Sequence, residues 1–227
     1  MTIGIIMAMS KEFSEMESLL QNKKTNTKGN YTYVEGTLED KHIILQHSGI
    51  GKVNAALGCE NLINTYSPDI VLSTGVAGGA SNDLEIMDIV ASTSCVYHDV
   101  YCGMENSYGQ IQGMPEIFQT PEVIIDCVKK VEGEHKIHTG LIVTGDWFVD
   151  TTDKMREILS HFPQAMAVDM ESCAIAHTCF LHNTPFLSLR IISDIPLKEG
   201  NKKQYDDFWA KMAEGSFNTT KKIIEKL

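Results

Sequence analysis

Short apolar runs, separated by stretches with helical spacing, limit what this chain can become more than any other feature of it. Thr2 to Met7 is such a run, followed by Ser10 as a helix cap and by Phe13, Met16, Leu19 and Leu20 at helical spacing. Asp69 to Thr74, Asp88 to Val96, Lys136 to Thr144, Gln164 to Val168 and Pro185 to Ile192 read as further strands. Asn30 to Glu35 and His42 to His47 flank Leu38, Glu39 and Asp40 and read as a hairpin. Helices are predicted over Val53 to Tyr66, Pro121 to Val131, Asp153 to Leu159, Met170 to Leu181 and Tyr205 to Lys226. A continuous apolar strand is covered on both faces, and strands that alternate with helices pair largely in parallel. The expectation is an α/β fold in which residues 1–227 form one domain, a three-layer αβα sandwich around a mixed, mostly parallel central sheet.

The chain has 227 residues, enough to bury roughly 70% of its unfolded surface without disulfides or metals. Thirty acidic residues face nineteen basic ones, a net charge of −11, and Arg156 and Arg190 are the only arginines. That balance argues against nucleic-acid or anionic-membrane partners. Cys59, Cys95, Cys102, Cys127, Cys173 and Cys179 form no C-x-x-C pair and read as reduced core thiols of a cytoplasmic protein. Met1 to Met9 lacks a basic leader, and no apolar run reaches the roughly 18 residues of a membrane span.

Gly51 and Lys52 do not make a phosphate loop, because Gln46 and Val53 stand where glycine and a hydroxyl residue belong. Gly49 and Gly51 are followed by Asn54, which breaks a dinucleotide fingerprint. The histidines lack metal-ligand spacing, so no metal or cofactor is expected, and His98 reads as a hydrogen-bonded structural residue. Tyr97 to Phe118, with Gly103, Gly109, Gly113 and Pro115, is a long irregular loop of the kind that usually serves function. The glycines between Gly75 and Gly79 suit close approach of backbone to a ligand.

Three carboxylates fall where such a sheet places reactive groups, at the carboxyl ends of strands: Glu12, Glu171 and Asp194. Each has an ordinary reading as a helix-start or turn residue. Their coincidence at strand ends, away from charged surface, points to acid–base chemistry.

Six segments then carry a resemblance: Thr2 to Met9 with Glu12, Ser48 to Val53, Ser73 to Gly79, Gly140 to Asp146, Ala167 to Glu171, and Ile192 to Asp194. In order and content they resemble the bacterial 5′-methylthioadenosine/S-adenosylhomocysteine nucleosidases. The resemblance implies the nucleoside phosphorylase-like fold, a homodimer, and hydrolysis of an adenine nucleoside to adenine and a 5-thioribose. It implies Asp194 as the acid at adenine N7 and Glu12 as the base for water, with Arg190 helping to hold that water. Glu171 would accept from ribose hydroxyls, Met170 would pack on the sugar, and Phe148 would stack on adenine while the Val149 backbone reads its edge. Gly78 would admit the nucleoside, Ser193 would accompany Asp194, Tyr205 would close the site, and Met9 and Ile50 would wall the 5′ pocket.

The chain departs from that pattern at Val76 for a small hydroxyl residue, Met7 for glycine, Asp169 for glutamate, and in a loop, Val100 to Gln112, that is one residue shorter and lacks a proline. The homodimer would send this loop toward the partner's site. Two other readings are a purine nucleoside phosphorylase of the same fold and a nucleoside-binding sensor without turnover. The scarcity of arginine opposes the first and the three carboxylates oppose the second.

Overall fold

The computed structural model describes residues 1–198, 201–211 and 217–227. In chain order the elements are β1 (Thr2–Met7), α1 (Ser10–Ser18), β2 (Gln21–Lys28), β3 (Tyr31–Leu38), β4 (Lys41–His47), α2 (Lys52–Tyr66), β5 (Ile70–Gly79), β6 (Ile89–Tyr97) and β7 (Phe118–Gln119). They continue as α3 (Glu122–Val128), β8 (Ile137–Thr144), α4 (Thr152–His161), β9 (Ala165–Asp169), α5 (Ser172–Leu181), β10 (Phe186–Asp194), α6 (Asn201–Lys211) and α7 (Asn218–Lys226).

β1 shows why its sequence is apolar at every position after Thr2. It lies between parallel neighbours, β4 and β5, with Ile5 level with Leu45 and Leu72. Ile3, Ile5 and Met7 face a core shared with Met16 of α1, Ile124 and Val128 of α3, and Ile223 and Ile224 of α7. Ile6 faces the opposite core with Leu62 of α2 and Ile175 of α5. Gly4 points the same way as Ile6, and Leu62 occupies the space a Cβ there would need. Helices thus cover both faces, the layering expected of an α/β chain.

The sheet is mixed. The ladders β1·β4, β1·β5, β5·β10, β6·β8 and β8·β9 are parallel, whereas β10·β6, β2·β3, β3·β4, β5·β9 and β6·β7 are antiparallel. β10 pairs with both β5 and β6, and β9 returns to β5, so these strands with β8 close a ring. Closure falls on the glycine cluster, where Gly78 opposes Val168 and Gly79 opposes Ala167. A Cβ on Gly78 would press on Val168 Cγ1 at 3.1 Å, and one on Gly79 on Ile192 Cγ2 at 3.2 Å. The glycines therefore let three strand ends converge beside the end of β1, and that convergence makes the site.

Several boundaries differ from the sequence reading. β2 was not expected, because nearly all its residues are polar and exposed and carry no apolar alternation. It is an edge strand whose lysines discourage further pairing. The helix expected from Met170 begins at Ser172, since β9 runs through Asp169 and Glu171 is a non-helical cap with φ −132°. The single helix expected over Tyr205 to Lys226 is instead α6 and α7, and residues 212–216 between them lie outside the described residues. Cys102 is exposed and Cys127 half-buried, so the core-thiol reading holds for the other four. His98 is buried with neither ring nitrogen hydrogen-bonded, because the ring is wedged against Gly145, and burial lowers its pKa. Among the described residues no helix is long and apolar enough to cross a membrane.

Candidate active site

Glu12 stands in the first turn of α1 and reaches back to the chain entering the helix. Its Oε2 accepts the Met9 N–H at 3.1 Å, one half of a capping box, so the bond that starts the helix also aims the carboxylate. Its Oε1 accepts the Val76 N–H of β5 at 2.9 Å. A Cβ on Gly75 would lie 2.7 Å from Oε1, so only glycine lets the carboxylate rest against the strand. Burial pushes the Glu12 pKa up, and the Val76 N–H, Arg190 and the Met9 N–H oppose that rise.

Glu171 caps α5, and its Oε1 accepts the Gly51 N–H at 2.9 Å. Gly51 in turn caps α2 with φ +93°, a backbone that favours glycine. One hydrogen bond therefore joins the starts of the two packed helices. Burial raises Glu171 to about 7, with the Asp169 charge adding to the rise and Arg190 opposing it.

Asp194 ends β10, and its Oδ1 accepts the Ser193 hydroxyl at 2.7 Å. Burial raises its pKa to about 6, against the Ser193 hydrogen bond. Arg190, four residues earlier on the strand, is also buried. Its Nε donates to Asp169 Oδ2 at 2.7 Å and its Nη2 to Ser73 Oγ at 2.7 Å, while Nη1 has no protein partner.

Glu12, Glu171, Asp194 and Arg190 line one cavity of about 710 Å³, counted to its open mouth. Met9, Ile50, Gly78 and Val149 line it as well, with Phe148, Met170, Ser193 and Tyr205. Phe148 and Tyr205 meet edge to face with centroids 5.4 Å apart and form an aromatic rim. Every residue to which the resemblance gave a catalytic or binding role thus lies on this one surface. The sequence reading missed Thr74, Trp147 and Val168 as wall residues and gave Asp169 no role beyond a departure. Trp147 carried a usable signal, an aromatic beside Phe148. Asp169 carried none, since its importance lies in a partner on another strand. None of residues 100–112 lines the cavity of their own chain.

Comparison with known proteins agrees with this geometry. The Phosphorylase superfamily profile matches residues 2–225. A 5′-methylthioadenosine/S-adenosylhomocysteine nucleosidase of Exiguobacterium sp. is 36% identical over 228 residues, 99% of this chain and 96% of the relative. The crystal structure of the Neisseria meningitidis nucleosidase of that name, in complex with methylthio-immucillin-A, superposes with a TM-score of 0.91 at 34% identity, covering 100% of this chain and 99% of the other. A futalosine hydrolase of Helicobacter pylori superposes with a TM-score of 0.90 at 30% identity, covering 100% and 98%. The chain belongs to the 5′-methylthioadenosine/S-adenosylhomocysteine nucleosidases of the phosphorylase superfamily.

Proposed function

We propose that this N-glycosyl hydrolase cleaves 5′-methylthioadenosine and S-adenosylhomocysteine with Asp194 as the acid and Glu12 as the base. Water replaces the adenine at the ribose C1′, releasing adenine and the 5-thioribose product. Breaking the C1′–N9 bond leaves cationic character on the sugar and negative charge on the base, so a proton must arrive at the purine while one leaves the water.

The contrast between the two carboxyl groups carries the assignment. Glu12 accepts two backbone N–H bonds, which favour its anion against the burial that raises its pKa and would hold it in place as a base, whereas among the described residues no N–H bond opposes burial at Asp194. Asp194 accepts one neutral hydroxyl and has a pKa pushed up to about 6, which suits a group that gives a proton to N7. Arg190, which lines the cavity, would help to hold the attacking water. Glu171 would take the ribose hydroxyls, with Met170 against the sugar. Phe148 would stack on adenine beside the Val149 backbone, Gly78 would admit the nucleoside, and Tyr205 would close over it. Met9 and Ile50 would wall the 5′ substituent.

The working unit is a homodimer in this reading. Val53 and Leu57 of α2, and Tyr101 and Met104 of the loop, are exposed apolar residues, and Met104 is 95% exposed. A loop absent from its own cavity yet apolar suits a place at the partner's 5′ pocket. Residues 1–227 act as one domain, in keeping with the match over 2–225. Free thiols throughout suit the cytoplasm.

Turnover in ¹⁸O-labelled water tests the chemistry. Hydrolysis places one labelled oxygen on the sugar C1. A sugar 1-phosphate without label would contradict it.

A further inference from the structure

Asp169 is the most heavily bonded side chain beneath the cavity. Its Oδ1 accepts the Thr144 hydroxyl of β8 at 2.6 Å, and both its oxygens accept the Ser172 N–H that opens α5, at 3.3 and 3.2 Å. Its Oδ2 also accepts the Ser172 hydroxyl and the Arg190 Nε–H. The Ser172 hydroxyl continues to Ser188 of β10 at 2.6 Å, and the Thr144 hydroxyl accepts the Cys173 N–H at 2.9 Å. One carboxylate thus ties together β8, β9, β10 and the start of α5, and nothing in the hydrolytic reading uses it.

Its one charged partner is Arg190, the only cation that lines the cavity among the described residues. Asp169 and Arg190 are both buried, and a guanidinium held by Nε to Asp169 and by Nη2 to Ser73 has no freedom to turn. Glu12 and Glu171 both feel this pair, so the site gathers three carboxylates around one guanidinium. We propose that Asp169 is a positioning residue that acts through Arg190, fixing the guanidinium so that a single charge serves both Glu12 and Glu171.

At Glu12 and at Glu171 alike, the Arg190 charge favours the ionised carboxylate and the Asp169 charge opposes it. The other titratable groups that sense Asp169 are His98 and Cys95 of the β6 segment and Cys173 of α5, and burial keeps all three neutral near neutral pH.

The proposal rests on the hydrolytic reading for its rate predictions but not for its titrations. The test is a double-variant cycle of Asp169→Asn and Arg190→Gln, with Asp169→Glu as the conservative variant. Adenine release from methylthioadenosine gives kcat and KM, and ¹³C NMR of the ligand-free protein gives the titration of Glu12 and Glu171. Asp169→Asn should lower kcat by about 10²-fold with KM changed less, as misplacement of a reacting group does. Asp169→Glu should recover most of that loss. In the Arg190→Gln background, adding Asp169→Asn should change kcat by no more than about twofold, because the first change has already removed the group through which Asp169 acts. Arg190→Gln should move the titration of both Glu12 and Glu171 to higher pH, the direction expected when the shared positive charge is lost.

Losses that multiply across the cycle would overturn the proposal, as would an Arg190→Gln variant in which Glu12 and Glu171 titrate as in the wild type. Should Asp169→Asn fail to fold with its partner charge left buried, the double variant carries neither charge of the pair, and its kcat against that of Arg190→Gln decides the matter. A wild-type protein that releases no adenine would contradict the hydrolytic reading alone, since the titrations are read without turnover.

Discussion

The Val76 N–H donates to Glu12 Oε1 at 2.9 Å, so one of the residues at which this chain departs from the pattern it resembles still holds the proposed base through its backbone. The valine side chain removes only a hydroxyl from the cavity wall. Val76→Ser should therefore change KM for the nucleoside more than kcat, by about 3- to 10-fold, the scale of one neutral hydrogen bond. A kcat change that exceeds the KM change would show that the hydroxyl acts on the water instead.

Gly75→Ala should act at the base without touching its chemistry. The added Cβ would meet Glu12 Oε1 at 2.7 Å and push the carboxylate from its two N–H donors. A fall in kcat of roughly 10²-fold is expected, comparable to Glu12→Gln. Circular dichroism should show the fold retained in both variants.

Asp194 links activity to stability with a definite sign. Its pKa is about 6 in the folded chain against an ordinary 3.8, so the folded state binds this proton more tightly. The stabilisation is complete below pH 3.8 and is lost as pH rises through about 6. Asp194→Asn removes a buried charge above that window and should stabilise the fold near pH 7.5 by at most about 3 kcal/mol, seen as a higher melting temperature, with little gain near pH 4. The kcat/KM of the wild type should fall on the alkaline side of about 6 as the acid loses its proton, and the variant should lack that limb. Thermal melts at the two pH values check the sign directly.

Leu57 and Met104 are exposed apolar residues on α2 and on the loop that avoids its own cavity. Sedimentation should give twice the chain mass. Leu57→Asp with Met104→Asp should yield monomers that bind the 5′-substituted nucleosides more weakly, the largest loss falling on the tail. A monomeric wild type at full activity would contradict the shared site.

Much of this was legible in the sequence because it follows from local rules. β1, β5 and β10 are buried at both parities, and their largely apolar sequences follow from that. Glu12, Glu171 and Asp194 are marked by their place after such strands. β2 was hidden because it takes its conformation from pairing with β3 rather than from its own residues. The ring closure at Gly78 and Gly79 was equally hidden, since the glycines reveal a close approach but not what approaches. Asp169 belongs to the same class: its partners stand up to 25 residues away, and no spacing along the chain announces them.

The most direct test of the account is the release of free adenine from 5′-methylthioadenosine by the purified protein in phosphate-free buffer containing a chelator, followed by reverse-phase chromatography. Adenine should appear at the same rate with and without added phosphate, and Glu12→Gln and Asp194→Asn should each slow it by at least roughly 10²-fold. Adenine that appears only when phosphate is supplied, or a rate unchanged by Asp194→Asn, would contradict the central claim.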